Sequence, residues 1–318
     1  MRGNIDRRGY VVYVSRMPPA LPEPAGTPSR AAILATDASL VLMAIIWGVN
    51  FSVVKYGAAQ MSPLVFNSGR LLLAAAALSL LAFVPRPAPI ARRDAVALLL
   101  LGVLGNGIYQ WLFIEGVSRT RAGDAALVVA ASPAFIALIS KLRGVDRVSA
   151  RGVGGIALSI VGIGFVVYSG SRVVVRGASV GGDLLVLAGS LSWAVYTVWL
   201  APYTKRVDGI TLSTYTMIGG AVTLSLVSAP ELAHMAWSTV SVGGWAAVLY
   251  SGLGSLVLAY LFWYRGVRVI GPTKTAMYSN LQPLVALIVA GIMLGEHPTP
   301  WQLVGAVCIM AGLVLTRA

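Results

Sequence analysis

Residues 38–54 read ASLVLMAIIWGVNFSVV, a run without a single charge, held between Asp37 and Lys55. A helix needs about 20 mostly apolar residues to cross the hydrocarbon of a bilayer, because each residue advances it by about 1.5 Å. This stretch comes close to that length, and nine similar ones follow, at roughly 63–84, 95–114, 122–142, 152–169, 183–203, 209–228, 243–264, 271–294 and 300–316. Across all 318 residues, 57 % are hydrophobic and 11 % charged, with a mean hydropathy of +0.81. Soluble domains carry about 25 % charged residues. The expected fold class is all-α integral membrane, with ten transmembrane helices arranged as two inverted five-helix repeats.

The charge between these segments sets the orientation. With the N-terminus in the cytosol, cytosolic tails and loops carry 18 of the 24 Lys and Arg. The opposite face carries 5, namely Lys55, Arg119, Arg121, Arg172 and Arg176, and Arg70 alone lies deep within a segment, away from its ends. By the positive-inside rule both termini are cytosolic. The formal charge of +13 would suggest nucleic acid in a soluble protein, but here the excess faces anionic lipid. The expected partners are membrane lipid and a small-molecule substrate, with no nucleic acid, and the chain is read as a monomer. Cys308 is the sole cysteine, so no intrachain disulfide forms.

Residues 1–36 read as a cytosolic tail with little order. Pro18, Pro19, Pro22 and Pro24 interrupt any helix, and no continuous apolar core marks a signal peptide. Beyond the tail the organisation suggests a duplication: a first repeat over 37–170, a linker over 171–182 and a second repeat over 183–318. Five crossings per half invert the second half relative to the first. At an offset of 150, Gly116, Val117, Ala126, Pro133, Gly155 and Gly162 recur in the second half. Trp47 and Trp193 each follow an aspartate, Asp37 or Asp183, by ten positions. The two aspartates are read as helix caps. Pro133 and Pro283 are expected to kink the fourth and ninth helices and serve as gating pivots, and Gly155, Gly162, Gly305 and Gly312 to lie at close helix contacts.

The stretch RTRAGDAALVVAASPAF, from Arg119 to Phe135, resembles the fourth-segment signature of EamA-type members of the drug/metabolite transporter superfamily. Trp47-Gly48-Val49-Asn50-Phe51 is similar to that family's first helix, Arg70 sits where its second helix commonly has arginine, and Gly295-Glu296 resembles the end of its second repeat. The resemblance covers about 38 to 316. One departure is Gly144-Val145-Asp146 in place of Gly-Glu, and the fourth helix is read as ending near Lys141. The resemblance implies a bacterial inner-membrane exporter of small metabolites, amino acids foremost, working by alternating access. The first helix lacks the glutamate that small four-helix relatives use for proton exchange, so that mechanism does not carry over.

No catalytic constellation appears. His234 and His297 lack metal spacing, and Gly252-Leu253-Gly254 continues into neither a phosphate loop nor a dinucleotide loop. No cofactor or metal is expected, and the chain is not read as an enzyme. Polar and aromatic side chains inside apolar helices are the candidates for a substrate cavity, since a polar group in hydrocarbon costs several kcal/mol unless it is satisfied. The candidates are Asn50, Arg70, Asn106, Tyr109, Gln110, Trp111, Trp193, Tyr196, Tyr278 and Asn280. Each amide can equally be glue between helices. Trp199, Trp237, Trp245, Trp263 and Trp301 are read as an interfacial belt. Arg70 has two roles open to it: attracting a substrate carboxylate, or a structural role with Asp124 or Glu115 as partner. The breadth of substrates in the resembling family tilts that reading to the structural role. Aromatic or apolar amino acids are the favoured substrates; the alternatives are efflux of cationic drugs and, in another class, a membrane-embedded enzyme.

Overall fold

The structure, a computed structural model, describes residues 4–5, 11–12, 30–83, 90–143, 149–172, 180–270, 275 and 278–317. Gly144-Val145-Asp146 and most of the N-terminal tail lie outside the described residues. Within the tail, Asn4–Ile5 pairs antiparallel with Val11–Val12.

The rest is helical. Eight helices are long and apolar enough to cross a membrane among the described residues. They are α1 (Arg30–Gln60), α2 (Pro63–Phe83), α3 (Arg92–Arg119), α4 (Ala122–Leu142), α5 (Ala150–Arg172), α6 (Val180–Thr204), α7 (Gly209–Val227) and α8 (Val242–Ile270). Two further apolar helices follow, α9 (Ser279–Leu294) and α10 (Pro300–Arg317). This is an α-helical integral membrane protein. Side chains such as Leu80, Val242 and Ile292 are exposed on the outside of the bundle, where lipid takes the place of water.

Several ends follow local rules. Asp208 caps α7 by accepting from the amides of Ile210 and Thr211. Gly295 ends α9 with φ +66°, the left-handed conformation that glycine adopts without a Cβ clash. Asp37 is not at a helix start: α1 begins at Arg30, and the Asp37 carboxylate accepts from Tyr278 Oη at 2.7 Å. Asp183 does lie in the first turn of α6, but its Oδ1 takes the Thr120 hydroxyl at 2.6 Å.

Three helices are interrupted in ways that position side chains. α3 is π-helical over Val103–Ile108, and α8 over Tyr250–Leu258. Such widened turns rotate the residues that follow them relative to the preceding face. α4 breaks at Ala131 (φ −82°, ψ −5°), just ahead of Pro133, because proline supplies no amide to continue the ladder. Pro283 sits at the start of the α-helical part of α9, after a 3₁₀ turn over Ser279–Leu281.

The packing partners form an ordered set. α5 runs along α10, α2 along α7, and α4 against α9. α3 packs on α6 and α7, α8 on α1 and α2, α4 on α6, and α9 on α1. Advancing each helix number by five maps these partners onto one another. The α5–α10 seam is close because both helices present glycine: a Cβ on Gly305 would lie 2.8 Å from the Gly162 carbonyl, and one on Gly312 would lie 2.5 Å from that of Gly155.

Candidate functional site

A cavity enclosing about 660 Å³, counting the part open to solvent, lies among α1, α2, α3, α4, α6, α8 and α9. Each helix contributes one face. α1 supplies Trp47, Asn50 and Phe51, spaced by three and four. α3 supplies Tyr109, Gln110 and Phe113; α4 supplies Val129, Ser132, Pro133 and Ile136. Arg70, Trp193, Tyr260, Trp263, Ser279 and Gln282 also line it.

The apolar wall is aromatic. Trp47 meets Trp193 and Tyr260 edge-on at 6.4 and 5.8 Å between ring centroids, and Trp263 at 5.7 Å. Trp193 meets Tyr109 at 5.2 Å and Trp263 at 6.0 Å. Edge contacts of this kind hold the rings as a stiff frame. Trp47 Nε1 donates to the Ser255 carbonyl at 3.1 Å, which satisfies its one polar atom within the π-helical turn of α8.

The polar wall centres on Arg70, which is 1 % exposed. Its Nε donates to Asn67 Oδ1 (2.6 Å), Nη1 to Ser251 Oγ (2.8 Å) and Nη2 to Gln110 Oε1 (2.5 Å). The Ser251 hydroxyl donates onward to Asn50 Oδ1 (2.7 Å), and Tyr260 Oη donates to Asn106 Oδ1 (3.1 Å). The network therefore joins α1, α2, α3 and α8. Neither acidic partner considered for Arg70 reaches it. Glu115 pairs with Arg119, and Asp124 accepts from Gln302 at 2.6 Å. Among the described residues no ion pair includes Arg70. A guanidinium has five N–H donors, so two remain after these three bonds. Gly252 allows α8 to approach this point: a Cβ there would lie 3.0 Å from the Arg70 carbonyl.

Of the candidates read from sequence, Asn50, Arg70, Tyr109, Gln110, Trp193 and Pro133 come together on the cavity wall. Asn106 is buried one layer behind, under Tyr260. Tyr196 is also behind the wall, with its hydroxyl 2.6 Å from that of Tyr264. Trp111 is 43 % exposed on the outside of α3, one residue off the inward face. Tyr278 is held by Asp37 away from the lining, and Asn280 lies in the 3₁₀ turn between two lining residues, Ser279 and Gln282. Pro283 stands next to Gln282 but does not line the cavity. Trp199, Trp237, Trp245 and Trp301 are exposed, whereas Trp263, assigned to the same interfacial belt, is 3 % exposed and lines the cavity. Its spacing of three from Tyr260 is the signal that places it on the inward face.

A lattice of charge ties the helices together at one end of the bundle. Lys55 Nζ donates to the Thr120 carbonyl and lies 3.5 Å from Glu296 Oε1. The Glu296 carboxylate accepts from the amides of Ala122 (3.2 Å) and Gly123 (3.3 Å), and so caps α4. Arg121 donates to the His297 carbonyl. This joins the ends of α1, α3, α4 and the α9–α10 turn. At the other end the contacts are Tyr278 to Asp37, Arg265 to Thr36 (3.3 Å) and Arg206 to Asp94 (3.4 Å).

Comparison with known proteins agrees with this picture. The EamA-like transporter family matches twice, over residues 34–168 and 180–318. An uncharacterized transporter of Bacillus subtilis, YyaM, is 29 % identical over 86 % of this chain and 91 % of its own. A probable terminal-alkyne amino-acid exporter of Streptantibioticus cattleyicolor is 29 % identical over 87 % and 91 %. A probable amino-acid metabolite efflux pump of Salmonella typhimurium is 29 % identical over 86 % and 92 %. One chain of known crystal structure superposes with a TM-score of 0.62 at 15 % identity, over 88 % of this chain and 98 % of that one, which is a likeness of fold alone. The doubled family match, the names of the relatives and the apolar helices agree: the chain is a transporter that belongs to the EamA-like family.

Proposed function

We propose that the protein exports small metabolites, amino acids foremost and aromatic or apolar ones among them, from the cytosol across a bacterial inner membrane. One observation carries this reading. Arg70 places a full positive charge in an aromatic cavity, with two N–H groups left over and no acidic partner among the described residues. Burying an unanswered charge is costly, so the site calls for an anion small enough to enter, and a carboxylate matches the guanidinium fork. The aromatic frame accepts an apolar side chain. Two relatives carry names that refer to amino-acid export, which supports the same class. The aromatic frame taken alone favours a second reading, efflux of cationic drugs through cation–π contacts, but Arg70 repels a bare cation.

The transport cycle in this reading is alternating access by a monomer. Ten crossings form two five-helix repeats of opposite orientation, and both termini are cytosolic. The doubled family match and the exchange of packing partners support the duplication. The charge bias supports the orientation. In that orientation the Lys55–Glu296 lattice is the closed outer gate.

Counterflow of labelled L-phenylalanine into proteoliposomes tests the proposal. Arg70→Gln, confirmed folded, is expected to weaken apparent affinity by about ten- to a hundredfold, from loss of about 1.5–3 kcal/mol per charged hydrogen bond. Unchanged uptake by this variant, or wild-type transport of quaternary amines with no amino acid transported, overturns it.

A further inference from the structure

The cavity meets a carboxylate at Arg70 but contains no carboxylate of its own among its lining residues. If the substrate is a zwitterion, neutral dipoles must meet its ammonium group. The break in α4 supplies them. Pro133 has no amide, so the Val129 carbonyl lacks the donor four residues on that a continuous helix would provide. The Ala131 N–H goes to the Val128 oxygen at 3.2 Å and also turns toward that of Val129, and Ala134 N–H goes to the Ala131 oxygen at 2.9 Å, so the Val129 oxygen keeps a lone pair that a continuous helix would fill. Ser132 is 5 % exposed, and its hydroxyl finds no hydrogen-bond partner among the described residues. A helical serine ordinarily bonds back to the carbonyl four residues earlier, as Ser190 does to Val186, but Ser132 makes no such bond. Val129, Ser132 and Pro133 all line the cavity. The segment Ala122–Ala130 also ends here, and the C-terminal end of a helix carries partial negative charge.

We propose that the broken turn of α4 is an ammonium subsite: the Val129 carbonyl and the Ser132 hydroxyl hold the amino group of a substrate whose carboxylate lies on Arg70. This rests on the amino-acid reading given above and adds to it the group that separates an amino acid from a plain carboxylic acid. An ammonium has three N–H donors. The carbonyl and the hydroxyl take two, and an aromatic face of the frame takes the third as a cation–π contact. The two charges of the ligand, borne by one carbon, then meet the positive charge of α2 and the dipoles of α4 side by side, which fixes its direction in the cavity.

The test uses three ligands that share a phenyl ring: L-phenylalanine, 3-phenylpropionate without the ammonium, and phenethylamine without the carboxylate. Binding to the purified full chain is followed by quenching of the cavity tryptophans, Trp47, Trp193 and Trp263. Wild type is expected to prefer phenylalanine over 3-phenylpropionate by roughly ten- to a hundredfold. Ser132→Ala is expected to lower that preference several-fold while leaving 3-phenylpropionate affinity unchanged, which also serves as the control for folding. Pro133→Ala restores an amide to the Val129 carbonyl and is expected to show the same signature. Equal weakening of both acids in the two variants, or undiminished preference for phenylalanine in both, overturns the subsite and leaves the amino-acid reading standing. Tighter wild-type binding of phenethylamine than of either acid, or no wild-type binding of any of the three, overturns the amino-acid reading and the subsite with it.

Discussion

Arg70 holds its place through the geometry of its fork. Three neutral acceptors on α2, α3 and α8 fix the guanidinium plane, and a lysine cannot reproduce three bonds in a plane. Arg70→Lys is therefore expected to keep the charge and lose most of the affinity, at least tenfold in a transport KM. Near-wild-type kinetics would show that charge alone matters. Gln110→Ala removes an acceptor from a buried charge and is expected to destabilise the folded protein by about 1.5–3 kcal/mol, read as a lowered thermal midpoint in detergent. Much at this scale was legible in the sequence. A lone arginine, amide or tyrosine within an apolar run stands out because hydrocarbon penalises it, and Asn50, Arg70, Tyr109 and Gln110 were found on that ground. What failed was telling which face a residue takes. Trp111 adjoins Gln110 in sequence but is turned about 100° from it around the helix. Nearness to a helix end points Trp263 to the membrane interface, whereas its spacing of three from Tyr260 points it inward, where it lies. The sequence cannot say whether a buried amide such as Asn106 touches substrate or stands one layer behind it, because both positions are equally dry.

Some helix boundaries were legible, since charge and proline mark where hydrocarbon ends, but those of α1 were not: it runs over Arg30–Gln60 around an apolar run of 38–54. The apolar run 122–142 coincides with α4, and 209–228 differs from α7 by one residue. The π-helical turns were not legible. They depend on how α3 and α8 pack, with Gly105 against the Tyr196 ring and Gly252 against the backbone of α2, and no local motif announces that. The seam glycines of α5 and α10 were legible because they recur at a fixed offset. They give a prediction for the helix pair: Gly305→Leu places a side chain where even a Cβ would lie 2.7 Å from Val166, so the helices must part. A loss of about 1–3 kcal/mol, seen as a lower unfolding temperature, is expected. Gly154→Leu in the same helix pair meets nothing within 4 Å of its Cβ and is expected to be neutral. Equal behaviour of the two variants would contradict the seam.

Two halves built alike need not close alike. Lys55 ties α1 to the α9–α10 turn, but at the offset of 146 that relates Trp47 to Trp193 and Asp37 to Asp183, its counterpart is Ala201. An alanine makes no ion pair, so the Lys55–Glu296 strut has no counterpart there, and among the described residues α1 meets the start of α9 at the other end through the Tyr278–Asp37 hydrogen bond instead. Lys55→Ala is expected to raise the fraction of molecules open at that end by about tenfold, for loss of about 1.4 kcal/mol, measured as faster labelling of a cysteine placed at Ser132 by a membrane-impermeant reagent. Unaltered labelling would mean that the strut does not govern opening. The wider consequence is kinetic and has a firm limit. A carrier latched on one face waits, when empty, with its site turned to the other, so that side meets the ready form and shows the lower apparent KM, while the latched side sees affinity diluted by the rarity of the open form. Detailed balance forbids such a latch from pumping anything. Without coupling to another gradient the net flux at equal concentrations is still zero, whatever the latch does to the two apparent KM values.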